Sequence, residues 1–140
     1  MRTVAELMTQ SLVTLKPHHT MKNAHDLISK KGIRHIPVMD DDNQKMLGLV
    51  TQKAMMSRVI KILTEHGADE LLKQEMQTSV SEIWIEDFET VSTDQSLAEV
   101  ANYFIKNKHG CVVVFNAEQK LVGILTSSDF VKLSAHLLSQ

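Results

Sequence analysis

Residues 32–54 read GIRHIPVMDDDNQKMLGLVTQKA, and residues 108–129 read KHGCVVVFNAEQKLVGILTSSD. Both stretches carry the same order of apolar, turn and polar residues. Matched residues lie 76 positions apart before the central loop and 75 positions apart after it. The matched pairs include Thr14 with Thr90, Ile36 with Val112, and Gly48 with Gly123. An internal repeat of this length indicates that the chain contains two copies of one structural unit.

Each copy predicts the element order β-α-β-β-α. In the first copy the predicted elements are a strand at 12–15, a helix from Met21 to Gly32, strands at His35–Met39 and 46–50, and a helix at Gln52–His66. In the second copy they are a strand at 89–91, a helix after Ser96, strands at Cys111–Phe115 and 120–125, and a helix from Ser127 toward Leu138. Pro37 lacks an N–H group, so its strand should lie at an edge or pair irregularly.

The predicted fold class is α/β (α+β), with tandem β-α-β-β-α repeats packed in pseudo-two-fold symmetry. One copy alone would bury little surface, so the two copies should share one globular module. The predicted boundaries are 1–67 for the first repeat, 68–78 for a helical connector and 79–140 for the second repeat.

Two helices carry more apolar residues than one core requires. On Gln52–His66 the predicted core stripe is Met56, Val59, Ile60 and Leu63, with Met55 and Ile62 on a second line. On the last helix Phe130, Leu133 and Leu137 form one line, and Val131 and Leu138 form another. This excess predicts a homodimer joined through these helices.

The composition disfavours several classes of protein. The net charge of −2 is far from the strongly basic footprint of a nucleic-acid-binding protein. No apolar run reaches the length of a membrane span, and the N-terminus lacks a signal core, so a cytoplasmic protein is expected. Nucleophile-elbow, P-loop, zincin and dinucleotide motifs are missing from the sequence, and Asp40-Asp41-Asp42 lacks calcium-loop spacing. Neither an enzyme nor a metal site is predicted.

The ordered motifs resemble the CBS-domain pair, also called the Bateman module. The resemblance rests on residues 12–15, 33–38 and 47–51 in the first copy and on 122–129 in the second. It covers nearly the whole chain. No single motif is specific, whereas the complete set occurring twice with matching spacing is. The chain looks most like stand-alone bacterial CBS proteins, including those called acetoin utilization proteins.

The resemblance implies that an adenine nucleotide (AMP, ADP or ATP) or S-adenosylmethionine binds in a cleft between the repeats. The family motif G-h-h-T-x-x-D is complete at Gly123, Thr126 and Asp129. It implies that Asp129 holds the ribose hydroxyls. Thr126 and the helix start at Ser127 would lie near the phosphate, where free N–H groups favour an anion. Thr90 is assigned to the same nucleotide site.

Basic residues of the first repeat would complete the phosphate site. Arg34, His35 and Lys53 supply charge-assisted contacts in this interpretation. The second cleft is expected to be degenerate, because it keeps Thr51 but has Ala54 where the aspartate should stand. The positions that should supply its cations hold Gly110, Cys111 and Ser128, with His109 nearby.

Two questions stay open at the level of sequence. The Thr126-x-x-Asp129 pattern also fits a helix capping box, and the capping and ligand roles can coexist. The leading functional hypothesis is a regulatory module that relays adenosyl-ligand binding to an unidentified protein partner or to its own assembly. The alternative is a ligand-free dimerisation or adaptor scaffold.

Cys111 is expected to be a small buried apolar side chain.

Overall fold

The computed structural model describes residues 2–107 and 110–140, and the chain divides into two compact units. Unit A is Val13–Asp87. Unit B combines the chain up to Leu12 with Phe88–Gln140. The division at 1–67, 68–78 and 79–140 rests on residue correspondence between the copies and stays a prediction.

The elements are, in chain order, α1 (Val4–Leu7), α2 (Met21–Lys31), β1 (His35–Met39), β2 (Met46–Thr51), α3 (Gln52–His66), α4 (Leu71–Gln77), β3 (Thr90–Ser92), α5 (Leu97–Lys106), β4 (Cys111–Phe115), β5 (Leu121–Thr126) and α6 (Ser127–Leu138). Short 3₁₀ turns at Ala68–Glu70 and Val80–Glu82 flank α4. The described residues thus form six α-helices and two sheets, which confirms the predicted α/β (α+β) class. None of these helices is long and apolar enough to cross a membrane.

The sheet of unit A is an antiparallel hairpin of β1 and β2. The predicted strand at 12–15 is wrong in extent, because it is reduced to a single parallel bridge between Leu15 and Val38. Leu15 donates its N–H to the Pro37 carbonyl and accepts from Met39 N–H, both at 2.9 Å. The next bond of this ladder would need an N–H at Pro37, which proline lacks.

The sheet of unit B shows what this proline changes. Its strands lie in the order β3-β4-β5, with β3 parallel and β5 antiparallel to β4. Val113 stands at the position matching Pro37, and its N–H donates to the Glu89 carbonyl at 3.0 Å. In unit B the parallel ladder therefore extends into a full strand, β3. The single bridge at Leu15 in unit A confirms the irregular pairing predicted for Pro37.

The buried face of α3 differs from the sequence prediction. The buried line on this helix is Met55, Val59 and Ile62, whereas Met56, Ile60 and Leu63 are exposed. The predicted core stripe is therefore wrong at all its positions except Val59. Both lines satisfy helical spacing, so periodicity alone cannot choose between them. The choice is made by tertiary packing, because Met55, Val59 and Ile62 join the core cluster of unit A.

The leading segment of each repeat, residues 2–12 in the first and 79–87 in the second, lies in the unit that contains the sheet of the other repeat. Val4 is fully buried in the core of unit B, and its counterpart Val80 is fully buried in the core of unit A. Thr9 pairs with Ile124 on β5, and Ile85 pairs with Leu49 on β2. The side chains of Met8 and Trp84 lie over Gly123 and Gly48, respectively. Each unit therefore contains strands of one repeat and the leading segment of the other.

Candidate functional site

The start of α6 is organised around the side chain of Asp129. Its Oδ2 accepts from the Thr126 N–H at 2.8 Å and from the Thr126 hydroxyl at 3.2 Å. The Ser128 hydroxyl lies 2.7 Å from the Thr126 hydroxyl and can donate to it. The capping interpretation of this motif is therefore confirmed, with one carboxylate oxygen committed to it.

The other carboxylate oxygen of Asp129 is available. Oδ1 accepts no hydrogen bond from the part of the chain that the structure describes, and the side chain is only half-buried. An ionised carboxylate has about four lone-pair sites, so it can cap a helix with one oxygen and accept ligand hydroxyls with the other. Ser127 is exposed beside it, and the Ser127 N–H donates to the Gly110 carbonyl at 3.0 Å.

Cys111 faces this corner from the neighbouring strand, where it pairs with Thr126. The thiol is buried, as expected from the sequence. Burial, together with the charge of Asp129, raises the pKa of Cys111 to about 12. The thiol is therefore protonated at neutral pH and is a poor nucleophile.

The matching corner of unit A lies at the start of α3. The Thr51 hydroxyl accepts from the Ala54 N–H at 3.0 Å, and this helix has no acidic residue in its first turn. Gln52 N–H donates to the Arg34 carbonyl at 2.9 Å, which places Arg34 beside the helix start. The structure thus brings the loop before β1 to the first turn of α3.

Three basic residues meet at this corner of unit A. His35 pairs with Thr51 across β1 and β2, while Arg34 and Lys53 are exposed on either side. Burial, and secondarily the charge of Arg34, lowers the pKa of His35. His35 therefore favours its neutral form, and Arg34 and Lys53 provide the fixed positive charge. Lys53 stands in the first helical turn, where the helix dipole disfavours a cation and favours an anion.

Thr90 lies apart from the Thr126–Asp129 corner within unit B. It pairs with Val113 on the side of β4 opposite β5. It lines a surface depression of about 710 Å³, together with residues 91–95, 115–117 and 119. Thr126, Ser127 and Asp129 do not line this depression. The structure therefore groups Thr126, Ser127 and Asp129, and separately groups Arg34, His35, Lys53 and Thr51, but it does not bring Thr90 to the first group.

The residues expected for the second cleft are only partly described. Gly110 and Ser128 lie beside the start of α6, and neither carries a charge. His109 lies outside the described residues. Ala54 is half-buried behind Thr51 and offers no hydrogen-bond acceptor on its side chain.

The sequence interpretation missed two polar arrangements in unit A. Glu75 of α4 is buried, and its carboxylate lies 2.7 and 3.0 Å from Nδ1 of His25 in α2. This pair satisfies a buried charge and joins the two helices. The second arrangement is a set of oxygens around Lys16, whose counterpart in the repeat is Ser92. A residue-by-residue comparison of the copies would have found that difference, whereas no sequence pattern marks the His25–Glu75 pair.

Comparison with known proteins identifies the repeat. The profile of the CBS domain matches residues 4–61 and 76–136. A candidate acetoin utilization protein from Vibrio cholerae has a crystal structure with a TM-score of 0.79 and 34% sequence identity, covering 99% of this chain and 94% of that one. A CBS domain-containing protein from Dictyostelium discoideum is 26% identical over 96% of this chain and 92% of its own length.

Two similar folds were solved with adenosyl compounds. CBSX2, from Arabidopsis thaliana, in complex with AMP has a TM-score of 0.78 and 24% identity, covering 98% of both chains. A CBS-domain pair in complex with 5′-methylthioadenosine and S-adenosyl-L-methionine has a TM-score of 0.75 and 22% identity, covering 96% of both chains. These likenesses show the fold.

Several curated relatives are much longer than this chain. The A-adding tRNA nucleotidyltransferase of Geobacter sulfurreducens is 25% identical over 94% of this chain, which spans only 13% of that enzyme. The chain spans 42% and 38% of two Methanocaldococcus jannaschii proteins. The shared region is therefore a module that also occurs inside larger proteins.

Proposed function

Because the chain belongs to the CBS-domain family, we propose that it is a regulatory module that binds an adenine nucleotide or an adenosyl metabolite. The observation that carries the proposal is the divided carboxylate of Asp129, with Oδ2 capping α6 and Oδ1 available to ribose hydroxyls. Support also comes from the CBS proteins solved with AMP and with S-adenosyl-L-methionine. The proposed role is binding, and the nearby Cys111 is not a candidate nucleophile, because burial raises the pKa of its thiol to about 12.

The phosphate contacts in this proposal come from unit A. Arg34 and Lys53 are exposed cations beside the start of a 15-residue helix whose first turn holds no acid. Charge-assisted hydrogen bonds and the helix N-terminus both favour a phosphate there. His35 adds a third donor when it is protonated. Thr126 and Ser127 contribute hydroxyl groups, and Thr90 is kept as a weaker candidate because it lines a different depression.

The proposal includes one competent site and one degenerate site. Ala54 cannot accept from ribose hydroxyls, and Gly110 and Ser128 supply no positive charge. One equivalent of ligand per chain is therefore expected. Regulation further requires that the ligand bind one of two states of the protein more tightly than the other.

Calorimetric titration with AMP, ADP, ATP, S-adenosylmethionine and adenosine tests the proposal. Ligand at about 100 times its Kd should stabilise the protein by about 2.7 kcal/mol, a shift of several degrees in Tm. Lys53→Ala should weaken AMP far more than adenosine, whereas Lys61→Ala, an exposed lysine further along α3, should change neither. GMP controls for recognition of the base. Absence of any adenosyl binding at millimolar concentration would favour the scaffold.

The scaffold alternative is supported by apolar residues that no described residue covers. Met56, Ile60 and Leu63 are exposed on α3, and Val131, Leu137 and Leu138 are exposed on α6. We infer a homodimer that buries more than about 1,000 Å² in total. Sedimentation tests this inference with Ile60→Glu, since Ile60 is 65% exposed and its replacement spares the core. Met55 is buried in the core, so Met55→Glu would test folding instead. Dimers in the parent and in a Lys61→Glu control, but monomers in Ile60→Glu, are expected.

A further inference from the structure

Unit A holds an ammonium group inside its hairpin turn. Lys16 Nζ donates to the Asp40 carbonyl at 2.8 Å and to the side-chain oxygen of Asn43, with the Asp41 carbonyl at 3.5 Å. The Asp40 carbonyl also accepts from the Asn43 N–H at 3.0 Å, so both of its lone pairs are used. The turn between β1 and β2 therefore forms a small cradle of oxygens for a primary ammonium.

Unit B repeats the first part of this turn but closes it one residue earlier, because Asn116 N–H donates to the Lys120 carbonyl whereas Asp40 N–H donates to the Lys45 carbonyl. Gln119 has φ 62°, close to the φ of 57° at Asn43, and its N–H donates to the Asn116 carbonyl at the same 3.0 Å. The strand beside the turn is also equivalent, because Val91 pairs with Val114 in parallel as Leu15 pairs with Val38. Ser92 stands at the position of Lys16. Unit B therefore keeps the backbone bend between Asn116 and Gln119 but has no lysine at the position from which Lys16 reaches the turn.

The depression of about 710 Å³ lies at this vacated position. Its lining includes Ser92, Asn116, Ala117 and Gln119, the four counterparts of Lys16, Asp40, Asp41 and Asn43. The Asn116 carbonyl accepts only from the Gln119 N–H among the described residues, whereas the Asp40 carbonyl accepts from two donors, so the Asn116 carbonyl can accept a second hydrogen bond. The volume is within the range of small-molecule sites.

The charge around the depression also favours a cation. Asp94 lines it, and the Ser92 hydroxyl donates to Asp94 Oδ1 at 2.7 Å. The counterpart of Asp94 in unit A is His18, which has no negative charge. Replacement of Lys16 by Ser92 and of His18 by Asp94 thus makes this loop more acidic, whereas the turn loses the two carboxylates of Asp40 and Asp41, whose counterparts are Asn116 and Ala117. Asp94 is the acidic residue of the lining.

We propose that this depression binds the primary ammonium group of a small alkylamine, in the position that the Lys16 ammonium occupies in unit A. The ammonium would donate to the Asn116 and Ala117 carbonyls and to the Gln119 side-chain oxygen, and Asp94 would balance its charge. The alkyl chain would lie over Val91 and Phe115, the apolar residues of the lining. The site is separate from the Asp129 corner, so it does not depend on the proposed nucleotide function.

Titration of the ¹⁵N-labelled protein with n-pentylammonium chloride tests the site directly. Saturable amide shifts confined to residues 92–95 and 116–119 are expected, with a Kd on the order of 1–10 mM. Tetramethylammonium carries the charge without N–H donors, and 1-pentanol carries the chain without the charge. Both should bind at least about tenfold more weakly, since they lack the charge-assisted hydrogen bonds. Equal shifts with all three compounds, or unsaturable shifts spread over acidic surface, would overturn the proposal.

Ser92→Lys provides an internal occupant. Its ammonium should fill the cradle, abolish pentylammonium binding and raise Tm by roughly 2–5 °C. Ser29→Lys, at an exposed serine of α2, should leave binding unchanged. Undiminished amine binding in Ser92→Lys would contradict the assignment. Asp94→Asn keeps the size of the side chain and should weaken the amine several-fold, which gives a second test if Ser92→Lys fails to fold.

Discussion

The first turns of α3 and α6 differ in how they are capped. Both helices begin after a threonine N-cap, but only α6 has a carboxylate three residues later. α3 nevertheless runs for 15 residues from Thr51, longer than the 12 residues of α6. A carboxylate at this position is therefore not needed for α3 to form. The difference separates capping from ligand binding: the proposed ribose contact is possible in the copy with Asp129 and not in the copy with Ala54.

The largest effect on this comparison should come from Asp129→Ala. Loss of a hydrogen-bonded charged group should weaken the adenosyl ligand roughly 10- to 150-fold. The change also removes a helix cap, which costs about 0.5–2 kcal/mol of stability. Calorimetry at a temperature where the variant stays folded separates the two effects.

Asn23→Ala is the matched control for the loss of the cap. In α2 the Asn23 side chain accepts from the Thr20 N–H at 2.8 Å and from its hydroxyl at 3.1 Å, as Asp129 does in α6. This variant should lose similar stability but no ligand affinity. Equal loss of affinity in Asn23→Ala and Asp129→Ala would mean that folding, and not the ribose contact, explains the result.

Gly48 and Gly123 stand at matching positions of the repeat, so they allow the packing in the two units to be compared. A Cβ on Gly48 would lie 2.7 Å from Trp84 Cδ2 and 2.9 Å from Trp84 Cβ. One on Gly123 would lie 2.5 Å from Met8 Sδ and 2.9 Å from Met8 Cγ, which can move, and 3.1 Å from the Thr9 carbonyl oxygen, which has to shift only slightly. Gly48→Ala should therefore cost about 1–3 kcal/mol by overpacking, and Gly123→Ala about 1 kcal/mol or less. Urea unfolding of both variants provides the measurement. A larger loss for Gly123→Ala would contradict the expectation that Met8 moves aside more easily than Trp84.

Ala54→Asp restores the motif at the start of α3 and should have a smaller effect. An acceptor near the N-terminus of a helix should stabilise the protein by about 0.5–1 kcal/mol at pH 7. A second ligand equivalent is not expected, because Gly110 and Ser128 still provide no charge for the phosphate. Denaturant melts and calorimetry measure the two quantities. Two equivalents of ligand per chain in this variant would refute the explanation of the degenerate site.

The smallest effect concerns pH and the loop before α2. His19 Nδ1 accepts from the Lys16 N–H at 2.8 Å, and burial, followed by the charges of His18 and Lys16, lowers its pKa. The stability from neutral His19 is therefore fully present above its unfolded pKa and is lost as pH falls through the lower folded pKa. The counterpart in unit B is Gln95, which does not titrate.

His19→Asn tests this pH dependence because asparagine can accept the same hydrogen bond without titrating. Its Tm should fall less between pH 7 and pH 5 than that of the parent protein. His18→Asn removes one of the charges that lower the pKa of His19, so it should reduce the slope by a smaller amount than His19→Asn. Parallel pH profiles in all three proteins would rule out His19 as the source.

Much of the fold could be predicted because each copy of the repeat can be compared with the other. The two copies predict the same order of elements, and helix α3 spans Gln52–His66 as predicted. The short strand at 12–15 could not be sized, since its extent depends on the bond that Pro37 cannot make to a residue far along the chain. The buried line of α3 was mistaken because two apolar lines fit the same period.

The candidate site was accessible from sequence only as a set of residue types. The spacing of Thr126 and Asp129 predicted a cap, and the structure confirmed it. That Oδ1 remains available depends on where the neighbouring donors point, which spacing does not encode. The ammonium cradle escaped the sequence interpretation because two of its oxygens, those of Asp40 and Asp41, belong to the backbone. Backbone oxygens are the same in every sequence, so only the turn geometry reveals the site.

The exchange of leading segments has a consequence for the order in which the protein is made. All of unit A lies within Val13–Asp87, so every part of it has been synthesised before Phe88 is added. Unit B needs the segment up to Leu12, which is translated before unit A, and β5, which is translated after unit A. Thr9 cannot form its bridge until Ile124, 115 positions further along the chain, has been synthesised. Since chains generally fold in the direction of synthesis, unit A should fold on the ribosome before unit B, and the segment up to Leu12 should dock only after unit A has been completed.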